Sequence, residues 1–138
     1  MHGDLIKVSE DKEKARSMLK MAKQRLEMLN TLDTAKYTSL VIEGYYEVIK
    51  ELIASILSLD GYKTKGEGAH KTLIDYLGEA YDSEFKPSDI YFLDDLRKIR
   101  NRINYDGFFV KEVYLMRNKE PIAVIINKLS LLVEQRLG

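Results

Sequence analysis

Apolar residues recur every three or four positions along most of the chain, which is the spacing of amphipathic helices. No stretch of useful length alternates apolar and polar residues as a half-buried strand would. Residues 1–8 are predicted to be a flexible leader. Ser9 is then a suitable N-cap for a first helix of about 20 residues. The inward face of this helix is predicted from four positions, Met18, Ala22, Leu26 and Leu29.

The second predicted helix is the longest and most apolar segment, so we expect it to lie at the centre of the fold. Asp33 or Thr34 is predicted to cap it, and Gly61 is predicted to end it. Gly44 interrupts its middle at a cost of about 1 kcal/mol relative to alanine. This predicts that a neighbouring helix approaches closely at Gly44. The segment Tyr62 to Gly68 is then predicted to be a loop.

Two further helices are expected before the last segment. A short helix is predicted from Ala69 to Ala80. A longer helix is predicted to begin at its N-cap Ser88 and to end near Tyr105, because Asp106-Gly107 is a stop signal.

The last segment contains Pro121, which predicts a kink or the start of a separate helix at that point. Strong apolar periodicity continues from there to Leu137. The expected architecture is therefore all-α. It is an antiparallel up-and-down bundle of about five helices in a single domain over residues 1–138.

The fourth predicted helix carries the most distinctive side chains. Arg100 lies at the edge of its apolar stripe, where a guanidinium must reach a carboxylate, a carbonyl or solvent because an unpaired buried charge is costly. The apolar stripe itself consists of Phe92, Leu96, Ile99 and Ile103. A second, polar stripe consists of Arg97, Asn101 and Asn104.

Three of the seven arginines lie within six positions, at 97, 100 and 102. Arginine and asparagine are planar, multi-donor side chains that suit phosphates and base edges. The alternative is a solvated basic face in which Asp94 and Asp95 pair with Lys98 and Arg97 at helical spacing. A metal site at Asp94-Asp95 is disfavoured because adjacent helical residues diverge by about 100°.

The composition narrows the chemistry further. Lys plus Arg and Asp plus Glu both number 22, so nucleic acid would have to bind a local patch. The absence of cysteine excludes disulfides and thiolate zinc sites, and two histidines, His2 and His70, argue against a histidine-built metal cluster. His70 is expected to be a hydrogen-bonding or capping residue. No apolar run approaches the roughly 20 residues of a membrane span. We therefore predict a cytoplasmic protein with no cofactor, no metal and no membrane contact.

Three segments together resemble the HEPN superfamily (higher eukaryotes and prokaryotes nucleotide-binding), especially its small stand-alone prokaryotic members. They are the tyrosine-bearing second helix with Gly61-Tyr62-Lys63, the start of the third helix at Ala69-His70-Lys71, and the end of the fourth at Arg100-Asn101-Arg102-Ile103-Asn104-Tyr105-Asp106-Gly107. The resemblance implies a homodimer in which the two fourth-helix ends face each other across a cleft. It also implies a minimal nucleotidyltransferase as a toxin–antitoxin partner.

Many members of that superfamily are metal-independent ribonucleases, with an arginine, a polar neighbour and a histidine four to six residues beyond the arginine. Arg100 and Asn101 match the first two, but Tyr105, Asp106 and Gly107 stand where the histidine is expected. Tyrosine is a poorer proton acceptor than histidine at neutral pH. Another histidine would replace the missing one only if the fold brought it close.

The leading hypothesis is a dimeric, HEPN-like protein that binds RNA or a nucleotide and is catalytically weak or inactive. One alternative is a metal-independent endoribonuclease with Arg100, Asn101 and Tyr105 as catalytic candidates, and another is a structural dimerisation module without a ligand. The sequence leaves open whether Phe108 and Phe109 face the core or an interface. The predicted binding residues are Arg97, Arg100, Asn101, Arg102, Asn104 and Tyr105.

Overall fold

The computed structural model describes residues 4–66 and 69–138, which form five helices and one small sheet. The helices are α1 (Lys12–Leu29), α2 (Thr38–Asp60), α3 (Ala69–Ala80), α4 (Pro87–Asp106) and α5 (Glu112–Leu137). The strands are β1 (Leu5–Lys7) and β2 (Tyr62–Thr64). The predicted all-α bundle is therefore confirmed. Within the described ranges, no helix combines the length and apolarity that crossing a bilayer requires.

Helix α2 is the centre of the fold, as its composition predicts. It contacts each of the other four helices, and most of its side chains are buried. A helix that is apolar nearly all round has no face that gains from contact with water, so it is stable only when surrounded.

Helices α1 and α2 run antiparallel. Ser55 Oγ of α2 donates to the Ala15 carbonyl of α1 at 2.9 Å, whereas at the opposite end Gly44 packs against Leu29. A Cβ atom at position 44 would lie 2.4 Å from Leu29 Cδ2. The close approach predicted at Gly44 is confirmed, because a larger residue would displace a buried leucine.

Helix α5 runs parallel to α2. The Val110 amide, just before α5, donates to Ser39 Oγ at 2.8 Å near the start of α2. At the other end, Arg136 Nη2 donates to the Leu59 carbonyl at 3.3 Å. Helix α4 runs antiparallel to α2. The four long helices, α1, α2, α4 and α5, therefore alternate in direction along the chain.

The predicted caps at helix starts are wrong in three helices, α1, α2 and α4. Helix α1 follows Asp11 rather than Ser9, and Asp11 Oδ1 accepts from the Lys14 amide at 2.9 Å. Helix α2 begins after Tyr37, so neither predicted residue caps it. Asp33 Oδ1 instead accepts from the Ala35 amide at 3.0 Å in the preceding turn.

The predicted start of α4 is also wrong, whereas the predicted ends of α2 and α4 are confirmed. Helix α4 begins at Pro87, one residue before Ser88, because proline is pre-organised for the first helical position. Gly61 and Gly107 end α2 and α4 with φ values of 81° and 63°, which glycine adopts without strain.

The prediction of a flexible leader is wrong for residues 5–8, and the prediction of a loop is wrong for Tyr62–Thr64. Strand β1 pairs antiparallel with β2, with Ile6 opposite Lys63, and the Val8 amide donates to the Gly61 carbonyl at 2.8 Å. Strands of three residues are too short for an alternating pattern to reveal. Residues 1–3 and 67–68 lie outside the described residues.

Helix α5 continues through Pro121 as one helix, so the alternative of two separate helices is wrong. Proline removes one backbone donor and crowds the carbonyl four residues earlier. The apolar face that follows Pro121 packs into the core and holds the helix together across it.

Candidate functional site

Arg100 on α4 is held by residues of two helices. Its Nη2 donates to Glu47 Oε1 of α2 at 3.1 Å, and its Nη1 donates to Asn101 Oδ1 at 3.2 Å. Its guanidinium carbon lies 5.8 Å from the centre of the Tyr46 ring. The Arg100 side chain is only 12% exposed. The expectation that this arginine lies at the edge of the buried face and reaches a carboxylate is confirmed.

Two further contacts complete this polar cluster. Lys50 Nζ lies 2.5 Å from Glu47 Oε2, one turn along α2. With the Asn104 amide oriented to satisfy both neighbours, its Nδ2 donates to Glu43 Oε2 at 2.6 Å and its Oδ1 accepts from Arg100 Nε at 3.2 Å. Asn104 is one turn later than Arg100 on α4 and contacts a residue one turn earlier on α2, so these helices are antiparallel.

The electrostatics of Glu47 favour its ionised form. Burial raises the pKa of this carboxyl, but the hydrogen bonds and positive charges of Lys50 and Arg100 outweigh burial, so the net pKa lies below its ordinary value. Glu47 and Arg100 are therefore both charged at neutral pH, and they neutralise each other at the edge of the core.

His70 joins this cluster from the start of α3. The centre of its ring lies 5.8 Å from that of Tyr46, with the planes inclined by 38°. Tyr46 thus contacts both His70 and Arg100. Burial and then the positive charges of Lys50 and Arg100 lower the pKa of His70, so the neutral imidazole predominates at pH 7. The fold thus brings a neutral histidine into contact with Tyr46, which also contacts Arg100, although the α4 motif lacks a histidine.

The lowered pKa of His70 predicts a pH dependence of stability. The unfolded chain takes up a proton near pH 6.5, where the folded protein does not, so the free energy of unfolding should fall as the pH drops below 6.5. Chemical denaturation between pH 5 and 8 measures this dependence. The variant His70→Gln should flatten the curve in this range, and His2→Gln is the matched control. Equal curves for wild type and His70→Gln would contradict the prediction.

Arg97 and Asp94 form a separate pair on the same helix. Arg97 Nε lies 2.9 Å from Asp94 Oδ1, and Lys98 Nζ lies 3.4 Å from Asp94 Oδ2. Burial raises the pKa of Asp94, but the hydrogen bond and charge of Arg97 outweigh burial and lower it overall. The alternative prediction of ion pairs within the helix is thus confirmed for Arg97 and Lys98, which both pair with Asp94.

Arg102 and Tyr105 face outward from the end of α4. The Arg102 guanidinium carbon lies 3.7 Å from the centre of the Phe108 ring, a cation–π contact. Tyr105 is 77% exposed and Phe109 is 85% exposed. Phe108 is half-buried under Arg102, so the two neighbouring phenylalanines differ: only Phe109 projects from the chain.

The structure therefore divides the six predicted binding residues into two groups. The inner group is held by side-chain hydrogen bonds within this chain and consists of Arg97, Arg100, Asn101 and Asn104. The outer group is Arg102 and Tyr105. An open groove of about 330 Å³ between α4 and α5 adjoins Arg102 and is also lined by Lys98 and Asn118.

Sequence reasoning missed Tyr46 and Glu47 as members of the cluster. A signal for Glu47 does exist: Glu43, Glu47 and Lys50 follow one another at helical spacing on the most apolar helix of the chain. A polar stripe on a helix that is otherwise buried predicts a polar partner on a neighbouring helix. Nothing in the sequence marks Tyr46 among the chain's nine tyrosines.

Within residues 4–66 and 69–138, no three histidine, cysteine, aspartate or glutamate side chains are grouped so as to hold a metal ion. Comparison of the chain with protein family models, with curated proteins and with solved structures found no match. The function therefore has to be inferred from the side chains themselves.

Proposed function

We propose that this protein is an HEPN-like helical protein that binds RNA or a nucleotide at the C-terminal end of α4 and is catalytically weak or inactive. The observation that carries the proposal is the position of Arg102, stacked 3.7 Å from the Phe108 ring and three residues from the exposed Tyr105. Proteins that bind single strands combine cations with aromatic rings on which bases stack.

The outer residues are the first contacts in this proposal. Arg102 contacts phosphate, and Tyr105 and Phe109 offer rings for stacking. Lys98 lines the same groove as Arg102 and reaches a phosphate once its Nζ leaves Asp94. Arg97 and Arg100 engage a ligand only by giving up part of their ion pairs within the chain, so they position the outer residues and shape the site. The HEPN resemblance adds a homodimer and a minimal nucleotidyltransferase partner, in a toxin–antitoxin pair, to the proposal.

Anisotropy measurements with fluorescent single-stranded RNA in EDTA test the proposal. Tyr105→Ala should weaken binding about tenfold, because stacking contributes about 1–3 kcal/mol per base. Arg102→Ala should weaken binding and reduce the salt dependence by about one phosphate contact. Arg16→Ala removes an exposed arginine on α1 and is the charge-matched control.

Two results would contradict RNA binding at this site. One is the absence of binding by the wild type. The other is an equal loss in Arg16→Ala and Arg102→Ala, which would indicate non-specific attraction. Size-exclusion chromatography of each variant separates these results from a change in oligomeric state. A Tyr105→Ala protein that loses its dimer, in a chain that binds no RNA, would favour the structural dimerisation module.

The position of His70 favours a second candidate, a metal-independent endoribonuclease. In this candidate a neutral His70 accepts the proton of the RNA 2′-hydroxyl as that oxygen attacks phosphorus, and Arg100 stabilises the charge on the phosphorane. The bond from phosphorus to the 5′-oxygen then breaks, and the protonated His70 returns its proton to that leaving oxygen. Cleavage that persists in EDTA and is lost in both His70→Gln and Arg100→Lys would establish this candidate. Binding without cleavage supports the leading proposal.

A further inference from the structure

Helix α5 has a second apolar face, which points away from the core. Val113, Met116, Val124 and Leu131 lie on this outer face and are between 49% and 70% exposed. At 3.6 residues per turn, these four side chains fall within an arc of about 80° around the helix. Large apolar side chains gathered on one exposed surface are typical of a protein–protein contact.

Two opposite charges lie in the middle of the outer face. Arg117 and Glu120 are both exposed, and within residues 4–66 and 69–138 neither side chain has an ion-pair or hydrogen-bond partner. Both charges are therefore free to pair with another molecule. The outer face also borders an open groove of about 570 Å³, which α4 lines with Asp89 and Phe92. Long side chains of a partner have room there.

The spacing along the outer face is that of a seam between two packed helices. Its positions follow one another in alternating steps of four and three residues, which is the repeat by which helices pack along their length. Charged residues in such a seam cost stability, but they fix the register and the relative direction of the helices. The seam residues are Val113, Arg117, Glu120, Val124, Asn127 and Leu131.

The two charges favour a second copy of this chain in the antiparallel direction. In a parallel pair each seam residue would meet its own copy, so like charges would face each other. In an antiparallel pair centred between residues 118 and 119, Arg117 would meet Glu120 of the partner subunit, and symmetry would form the same ion pair again. The same register would bring Val113 to Val124 of the partner subunit, so apolar residues also meet apolar residues.

We propose that this protein forms a two-fold dimer in which the α5 helices of two copies pack antiparallel through the outer face. The interface is self-complementary, as two-fold symmetry requires. The starts of the two α5 helices are then about 20 Å apart. The adjoining α4 ends therefore lie at opposite ends of the interface and do not face each other across a cleft, as the HEPN resemblance implies. This dimer does not depend on RNA binding.

Sedimentation velocity over a range of protein concentrations tests the dimer on the full chain. We expect the wild type to dimerise. Val124→Glu should raise the dimer dissociation constant about tenfold or more, because a carboxylate would be buried against Val113 of the partner subunit. Met21→Glu is the matched control, since Met21 on α1 is 51% exposed and Val124 is 55% exposed. It should leave the dimer unchanged.

Charge reversal tests the two ion pairs. Arg117→Glu would set carboxylates against carboxylates at the centre of the seam, and Glu120→Arg would set guanidiniums against guanidiniums. Each variant alone should therefore dimerise about tenfold more weakly or worse. A mixture of the two variants should form a mixed dimer with nearly the wild-type affinity, because opposite charges meet again.

Disulfide formation tests the antiparallel register, because the natural chain has no cysteine. A mixture of Val113→Cys and Val124→Cys should form an intermolecular disulfide on oxidation. Neither variant should form one alone, because the same position in the two copies is separated by about 16 Å along the helix axis, which is beyond the reach of a disulfide.

Several results would overturn the proposal. They are a wild type that stays monomeric, equal losses in Val124→Glu and Met21→Glu, and a mixture of the charge-reversed variants that does not associate. A disulfide formed by Val113→Cys alone would show a parallel pair. A dimer that dissociates in Tyr105→Ala but not in Val124→Glu would place the interface at the α4 ends instead.

Discussion

Replacing Asp60 with alanine is expected to lower the free energy of unfolding by about 3 kcal/mol, because each lost partner of a part-buried polar group costs about 1–3 kcal/mol. The Asp60 carboxylate, at the end of α2, accepts from Tyr76 Oη at 2.7 Å and from Tyr81 Oη at 2.8 Å. It also lies 2.7 Å from Arg136 Nη1 of α5. The variant would leave the hydroxyls of Tyr76 and Tyr81 without their acceptor and would remove the carboxylate from Arg136, which keeps the Leu59 carbonyl.

Thermal unfolding and urea titration measure this loss, which corresponds to a midpoint lower by about 10 °C. Asp60→Asn should cost less, because an amide oxygen still accepts one hydrogen bond. Asp82→Ala, at an exposed position, should change stability by less than about 0.5 kcal/mol. Similar losses for Asp60→Ala and Asp82→Ala would show that the network contributes nothing.

The same network has a consequence at alkaline pH. Burial and the hydrogen bond to Asp60 raise the pKa of Tyr81 to about 12, and they raise that of Tyr76 as well. Unfolded tyrosines lose their protons near pH 10, whereas the folded ones keep them. The contribution of these tyrosines to the free energy of unfolding is therefore fully present below pH 10 and declines as the pH rises towards 12. Asp60→Ala should reduce the alkaline decline.

Replacing Arg100 with alanine is expected to lower the free energy of unfolding by about 2–3 kcal/mol. Breaking a buried ion pair usually costs about 3–5 kcal/mol because one charge is left unpaired. Here Lys50 remains beside Glu47 and limits that cost. Chemical denaturation at pH 7 measures the change. Arg16→Ala breaks an exposed pair with Glu13 and should cost less than about 1 kcal/mol.

A double-mutant cycle between Glu47→Ala and Arg100→Ala isolates the pair itself. Contacting charges should show a coupling energy of about 1–3 kcal/mol. Because the pKa of folded Glu47 lies below its ordinary value of 4.5, its contribution is present above pH 4.5 and is lost as the pH falls through the folded value. A coupling near zero at pH 7 would refute the structural role of this pair.

The cost of losing Arg100 bears on how its function is tested. If a variant loses both stability and RNA binding, the binding can be lost only because the protein is less stable, so the result does not show that Arg100 contacts RNA. Arg102 and Tyr105 are better probes of binding, because their side chains project from the fold and their removal leaves the core intact. Arg100→Lys keeps the charge near Glu47 and so separates the planar guanidinium from the cation.

Local patterns predicted the helices better than their starts. The apolar stripe of α4 placed Leu96 in the core and Arg100 at its edge, as the structure shows. Serine and aspartate are both favourable N-cap residues, so Ser9 and Asp11 cannot be distinguished by residue type. The contact that selects Asp11 is made with a distant part of the chain. The Asp11 amide and carbonyl both contact Ser58 of α2, which fixes where α1 begins.

The amino-acid sequence alone determined the helical class, the central place of α2, and the boundary position of Arg100. These features depend on apolar residues three and four positions apart. Such a pattern is contained in a few helical turns, so it can be recognised from a short stretch of sequence. Only the tertiary structure decided that Glu47 would neutralise Arg100 and that His70 would join them through Tyr46. The partners in these arrangements come from different helices, and Glu47 and Arg100 are 53 residues apart. Side chains that distant in sequence meet only after the core has packed and set the separation and direction of the helices.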